Sequence, residues 1–513
     1  MRPGLIGVAL VVALIHSQDK NPDTFNVRDF GAVGNGRTKE TRAIEAAVSA
    51  AARQGGGTVF IPAGTYLSGT IHLRDNIGLH LAPGAVLKTS GDKEDFDANE
   101  KLDYNSFADD ETTYSHFALV AGDNVRNVSI TGHGMIDGNR SRRGGPKPIA
   151  LKNCRDITIR DIKIENAPNY CISVLGCEYV TVDNVTIRNA YSDGIDPDCS
   201  QRVRISNCSV ESRDDAICLK ASLALGVRKP TEHVTITNCI LSSAANCIKL
   251  GTESSGDFTN IAINNCAMYI MPNSRGSSGL AIESVDGAVI DGLVASNLTM
   301  HDVFNPLFIR LGNRGRGLSP PKPGDIRNVS ISHLAATGAT MTCSITGIPG
   351  SPVHRVSLSD IQIFMSGGQN IPIGLNVPEM PDKYPESKMF GVLPAYGLYA
   401  RHVEELKLTN FRVRGEEREP EMRPALVVDD GLFVDIQGLT TGLNWLRIPV
   451  IWLNNTRVAT IHESSISGFA FTYLRVTGAR TSRIVMTGKD LLSVPNHLEV
   501  KDGAPRNEVK LRN

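Results

Sequence analysis

An all-β fold, a right-handed parallel β-helix closed at its N-terminal end by a helix, is what this 513-residue sequence predicts, and three observations predict it. A ten-residue motif recurs as Ile157–Asn166, Val180–Asn189, Val203–Ser212, Val234–Ser243 and Ile261–Ile270, with weaker copies starting at Val128, Leu293, Val329, Val356 and Leu406. Each of the five strong copies alternates apolar and polar residues in two short runs on either side of an Asn or Asp at its fifth place: Asp161, Asn184, Asn207, Asn238 and Asn265. Neither a 3.6-residue period nor a Leu-x-x-Leu-x-Leu pattern accompanies the repeat, which excludes helical and leucine-rich solenoids. A unit of this size cannot bury its own apolar face. It must stack on its neighbours, pairing strands in parallel from coil to coil.

From the N-terminus, Leu5–Ile15 is an apolar run behind Arg2, too short to span a bilayer and placed where a signal peptide sits, with His16-Ser17-Gln18 as the cleavage region. Residues 1–18 are therefore expected to direct export to a periplasm or the cell exterior, and 19–513 to form one β-helix domain with its catalytic coils at about 150–310. Thr41–Arg53 is amphipathic and stops at Gly55-Gly56-Gly57, a helix suited to covering the first coil, where an open edge would invite aggregation. The glycine loop Phe30–Gly36 lacks the spacing and the βαβ setting of a nucleotide fingerprint. The recurrent Asn is expected to bridge turn backbones between coils, so the sequons at Asn184 and Asn207 are read as turn residues. Ten cysteines without a Cys-x-x-Cys pair exclude zinc-ribbon and thioredoxin readings, and their phase in the repeat suggests buried thiols, with room for one or two disulfides. Longer insertions interrupt the coils at Arg314–Asp325 and Gly367–Phe390, and such loops can wall off a groove and favour attack on chain ends. Lys+Arg at 53 against Asp+Glu at 54 leave a net charge of -1 and no basic run, which argues against nucleic acid or a membrane surface as partner.

Chemistry concentrates in two adjacent coils. Asp193 stands at offset 13 from Val180, and Asp214 and Asp215 at offsets 11 and 12 from Val203, so three carboxylates should meet on one face. Mutual repulsion can raise at least one pKa, as a general acid requires. Asp196 and Asp198 can be read as surface turn residues.

At these residues the chain resembles glycoside hydrolase family 28, the polygalacturonases and rhamnogalacturonases. Ser192-Asp193-Gly194-Ile195-Asp196, then Asp214-Asp215, follow the family pattern, and Leu250–Gly256 is similar to the stretch after its Gly-His-Gly. The opening, Phe30–Gly36 and Val59–Tyr66, resembles that of pectinase-type β-helices. The resemblance implies a pectic polysaccharide or oligosaccharide as partner, with Asp214 as acid and Asp193 and Asp215 positioning and deprotonating water. Two positions depart: Asn246 replaces the family's His, and Ala281-Ile282-Glu283 replaces Arg-Ile-Lys, so the cations that grip a galacturonate are missing. Gly132-His133-Gly134 comes too early to be the site motif. Rhamnogalacturonases similarly lack the His and the Arg/Lys pair, so a neutral sugar such as rhamnose is expected on the leaving-group side. The further substrate-binding candidates are Lys220, Lys249, Glu253, Glu283, Arg310 and Asn246, with Lys220 equally suited to partner the aspartates.

Three functions compete at this stage. An inverting hydrolase leads. A polysaccharide lyase on the same fold would need Ca²⁺-binding acids and an Arg or Lys base, and would form an unsaturated, ultraviolet-absorbing product. A non-catalytic carbohydrate-binding β-helix would turn over no glycan. The leading reading needs no cofactor and no metal, and the chain is expected to act as a monomer.

Overall fold

The computed structural model describes residues 23–271, 274, 276–416, 421–442, 448–466, 470–487 and 494–512; the expected signal peptide at 1–18 lies outside them. The described chain winds into a parallel β-helix in which every strand-to-strand ladder is parallel. Crossovers between parallel strands of one sheet are right-handed for steric reasons, which sets the hand of the coil. The repeat read from the sequence is the register of the structure. Val128, Ile157, Val180, Val203 and Val234 stack directly on one another, followed by Ile261, Leu293, Val329, Val356 and Leu406. The stack continues through Val434, Ala459, Ile484 and Val509, four coils absent from the repeat as read. In the first two the marker had lapsed: the fifth place is Gly438 and then Glu463, both still at positive φ (69° and 52°). The backbone bend persists where the amide does not.

That bend also corrects the expected role of the asparagines. Asp161, Asn184, Asn207, Asn238 and Asn265 all sit in the left-handed region, with φ of 51–63°, a conformation that Asn and Asp tolerate better than other side chains. Their side chains bond to one another rather than to turn backbones: Asn184 Nδ2 donates to Asp161 Oδ1 (2.8 Å), Asn238 to Asn207 (3.3 Å) and Asn265 to Asn238 (3.4 Å). Asn207 turns aside to Asp183 Oδ1 (2.7 Å). In the next place, the thiols of Cys208, Cys239 and Cys266 reach back to the carbonyls of Ser206, Thr237 and Asn264 at 3.2–3.3 Å. All ten cysteines are buried and unbridged.

One apolar core runs up the inside of the coils from Val27 to Val509. At its N-terminal end the helix Thr41–Arg53 buries Ile44, Ala47, Val48 and Ala51 against the first strands. A separate row of strands carries the chemistry: Ile172–Leu175, Ile195–Asp198, Ile217–Ala221, Ile248–Ser254 and Ser278–Ser284 pair in sequence. These strands are buried on both faces instead of alternating. The two predicted insertions span 312–324 and 366–397 between their flanking strands. A third long segment, 90–117, was missed, although it has no two-residue alternation to suggest a strand. Tyr104 of that segment donates to Ala224 O (2.8 Å) and Asp109 meets Arg316 (3.2 Å), which fixes it beside the row.

Candidate active site

Adjacent coils deliver Asp193 and Asp215 to the same place because they lie just before paired residues, Ile195 and Ile217. The Asp215 amide donates to Asp193 Oδ1 (3.2 Å), and a carboxylate oxygen of each lies within 4.8 Å of the other. Both are nearly inaccessible and each is met by a lysine from the following coil. Lys220 Nζ reaches Asp193 Oδ2 at 2.7 Å, and Lys249 Nζ reaches Asp215 Oδ2 at 2.7 Å. Burial disfavours the Asp193 charge, but Lys220 and Lys249 outweigh it and hold the pKa below the ordinary carboxylate range. The same opposition raises Lys220: burial works against its charge, and Asp193 and Asp196 overcome it.

Asp214 is different. It stands beside the buried pair with its side chain 29% exposed, and burial together with Asp193 and Asp215 pushes its pKa up to about 6. Its Oδ2 accepts from Arg143 Nη1 at 2.5 Å. One carboxyl of the three is thus poised to hold a proton while its neighbours are surrounded by donors. That is the division of labour an acid and a base require.

Asp196 and Asp198 are not surface residues: they are 2% and 4% exposed. Asp196 pairs with Lys220, and burial plus the adjoining Asp193 raise its pKa well above the usual range. Asp198 accepts from Ser222 N (2.8 Å) and Oγ, which makes it part of the framework.

The predicted binding residues divide sharply. Asn246 donates to Asp215 Oδ1 through both N (3.0 Å) and Nδ2 (2.8 Å), and its Oδ1 accepts from Ser278 N (3.1 Å). It orients Asp215. Glu283 lies near Lys249, but burial first and Asp215 second push its pKa up to about 8, so at neutral pH it is mostly an uncharged acid. The repulsion of an anionic sugar expected from it is therefore weak. Glu253 is raised by burial and by Asp109, which reaches it from the segment 90–117. Arg310 points elsewhere: its guanidinium donates to Gly347 O (3.1 Å), Glu379 O (2.6 Å) and Met380 O (3.0 Å), anchoring the 366–397 insertion.

Sequence reasoning missed Arg143, Glu111, Tyr170 and Tyr384. Lys220 Nζ lies 4.1 Å from the Tyr170 ring centroid, and the buried Tyr170 carries that ammonium on its face. Tyr384, from the insertion, lies close enough to Lys249 and Glu283 for their charges to act on its phenol. Only the pair Arg142-Arg143 ahead of two glycines could have hinted at Arg143. Asp193, Asp215 and Cys218 lie close enough to share a cation, yet two lysine ammoniums already face these carboxylates, so a dication fits this set poorly.

The sequence matches glycosyl hydrolases family 28 over residues 85–380, more than half its length. The chain belongs to this family. It is similar to a probable polygalacturonase of Vitis vinifera, 27% identical over 370 residues that cover 66% of this chain and 74% of that one. An exopolygalacturonase of Platanus acerifolia is 26% identical over 363 residues, 67% of this chain and 90% of the relative. Among solved structures, the fold is similar to a Thermotoga maritima exopolygalacturonase, with a TM-score of 0.58, 22% identity, and coverage of 75% and 91% of the two chains. The family 28 chain is a glycoside hydrolase of polygalacturonase type, and pectic polysaccharide is its substrate class. No helix among its described residues is long and apolar enough to cross a membrane.

Proposed function

We propose that this family 28 enzyme hydrolyses pectic glycosidic bonds with inversion at the anomeric carbon, Asp214 protonating the leaving oxygen while Asp193 and Asp215 hold and deprotonate water. The observation that carries the reading is the inequality of the three carboxyls: Asp214 is partly exposed and pushed up to about 6 by burial and its acidic neighbours, while Asp193 and Asp215 are each paired with a buried lysine. Inversion requires acid and base roughly 6.5–9.5 Å apart, with water between them. Proton NMR of the first-formed product is expected to show inversion; retention of configuration would remove the assignment.

The leaving-group side, in this reading, takes a neutral sugar of rhamnogalacturonan type in preference to galacturonate. What supports this is a lack of free positive charge. Ala281 offers none, Glu283 is mostly neutral, Asn246 is engaged with Asp215, and Lys220, Lys249 and Arg310 are all bound within the protein. The relatives named polygalacturonases favour the alternative, homogalacturonan. The two readings separate on kcat/KM for the two polymers, and equal or faster cleavage of homogalacturonan would decide for the second. Segments 90–117 and 366–397 flank the strand row, which supports attack at chain ends. Early appearance of mid-sized oligosaccharides from a long polymer would contradict that. The apolar run Leu5–Ile15 supports export, and N-terminal sequencing of the mature protein tests it.

A further inference from the structure

An acid must carry a proton, yet in the free protein a guanidinium stands against Asp214, and a guanidinium favours the ionised carboxyl. Arg143 holds Glu111 with one edge, Nε lying 3.0 Å from Oε1 and Nη2 meeting Oε2, and turns Nη1 to Asp214. Glu111 is itself held by Ser192 Oγ (3.1 Å). The backbone around the arginine is fixed: Gly144 N donates to Pro168 O (2.8 Å), and Asn169 Nδ2 donates to Gly145 O (3.1 Å). Its side chain, by contrast, is half exposed. The guanidinium can therefore exchange one anion for another without moving the loop.

Position along the coil axis matters as well. Arg143 belongs to the loop before the strand Lys147–Lys152, on the N-terminal side of Asp214, whereas Ala281 and Glu283 lie on the strand Ser278–Ser284, on the C-terminal side. Arg143 thus places a half-exposed cation on the N-terminal side of the acid, whereas the positions Ala281 and Glu283 supply none on the other. The charged groups facing Asp214 are Asp193 from the preceding coil, Asp215 beside it, Lys249 from the following coil and Arg143 across the groove. Among them, Arg143 alone is both cationic and substantially exposed.

The geometry points to Arg143 as the receptor for a uronate carboxylate on the side of the scissile bond away from the leaving group, that carboxylate replacing Asp214 as the arginine's counter-ion while Asp214 takes up a proton from solvent. This rests on the reading of Asp214 as acid and of a pectic glycone. Charge balances in the exchange: the sugar brings one negative charge, and Asp214 loses one on protonation. The site then holds an acid armed by its own substrate, and a carboxylate bound through a guanidinium is the geometry that discriminates uronate from neutral sugar. With Asp214 titrating near pH 6, the transfer lies within the reach of one displaced ion pair. A methyl-esterified glycone cannot make the exchange.

Calorimetry on the wild-type enzyme, whose Asp215 keeps the charge that raises Asp214, tests the idea with an uncleavable sulfur-linked rhamnogalacturonan oligosaccharide carrying a non-reducing galacturonate, as free acid and as methyl ester. Titrations near neutral pH in buffers of low and high ionisation enthalpy report proton uptake. The free acid is expected to bind at least about tenfold more tightly than the ester, with net proton uptake. Arg143→Gln should remove both the preference and the uptake and leave ester binding within about twofold. Equal weakening of both forms, a preference that survives Arg143→Gln, uptake without dependence on Arg143, or no binding of either form would each overturn the proposal. KM for the two cleavable forms in wild type and Arg143→Gln gives the affinity comparison independently. Failure of the wider reading shows itself separately, as absence of pectic hydrolysis by the wild-type enzyme.

Discussion

Two polar stacks run along the same coils, and they obey opposite rules. At one bend, Asp161, Asn184, Asn207, Asn238 and Asn265 recur coil after coil. Along the cleft row, Asp193, Asp196, Asp214 and Asp215 crowd into two coils only. An amide carries donor and acceptor together, so identical neighbours satisfy one another and the stack can be extended indefinitely. Carboxylates are acceptors alone, and like charges in a buried place are tolerated only with countercharges brought to them. Lys220 and Lys249 arrive from the next coils for this purpose. The amide stack is architecture. The carboxylate stack is kept despite its cost.

Breaking the acidic stack at its catalytic member should have the largest effect. Asp214→Asn removes the proton donor, and kcat is expected to fall by about 10²–10⁴. In wild type the protonated form of Asp214 is the active one, so kcat/KM, which reports the free enzyme, should decline as pH rises through about 6. A rate that instead rises across that range would assign the acid elsewhere.

Removing a countercharge comes next. Lys220→Met leaves Asp193 and Asp196 buried without their ammonium, at a cost of about 3–5 kcal/mol in unfolding free energy. Denaturant melts that show less than about 1 kcal/mol would mean that the pair is not a structural unit.

Glu283 gives a sharper and smaller contrast. Its pKa is raised in the folded protein, so the native state keeps a proton that the unfolded chain releases above its ordinary value of 4.5. Stability is therefore lost as pH rises from that value through about 8, and Glu283→Gln avoids the loss. The variant should match wild type near pH 4 and gain on it steadily as pH rises from about 4.5 to about 8. A difference that does not change with pH would contradict burial as the cause.

The smallest effect belongs to the amide stack. Asn238→Ala removes the two long hydrogen bonds to Asn207 and from Asn265 and puts alanine at a φ of 55°, with an expected loss of about 1–2 kcal/mol and unchanged kcat. Asn238→Gly should recover part of it, because glycine accepts that φ without strain. If glycine is no better than alanine, the hydrogen bond rather than the bend is what the position supplies.

The coil was legible because a solenoid repeats its physics. Each copy needs the same inward apolar residues and the same left-handed corner, so ten of the stacked positions could be aligned by eye, and among those that escaped are the coils that carry Gly438 or Glu463 at the corner. The acid cluster was legible for the same reason: equal offsets in adjacent coils become neighbours in space. Segment 90–117 carries no repeat, and its contributions of Glu111 and Asp109 to the site were invisible.

What the sequence alone determined, then, was which carboxylates would meet; which charge each would face was decided by tertiary structure. Lys220 could be read as ligand or partner, and it is a partner because the coil places its ammonium within 2.7 Å of Asp193. Arg310 carries the same charge, but the next coil presents the carbonyl of Gly347 and the 366–397 insertion those of Glu379 and Met380, and there its guanidinium binds. Glu283, a fixed negative charge on paper, loses that charge through burial. Arg143, three coils from the acid in sequence, reaches it through a loop whose path no local pattern encodes. Offsets along a repeat fix distances between coils, whereas burial and the partners that loops deliver fix protonation, and only the folded chain holds both together.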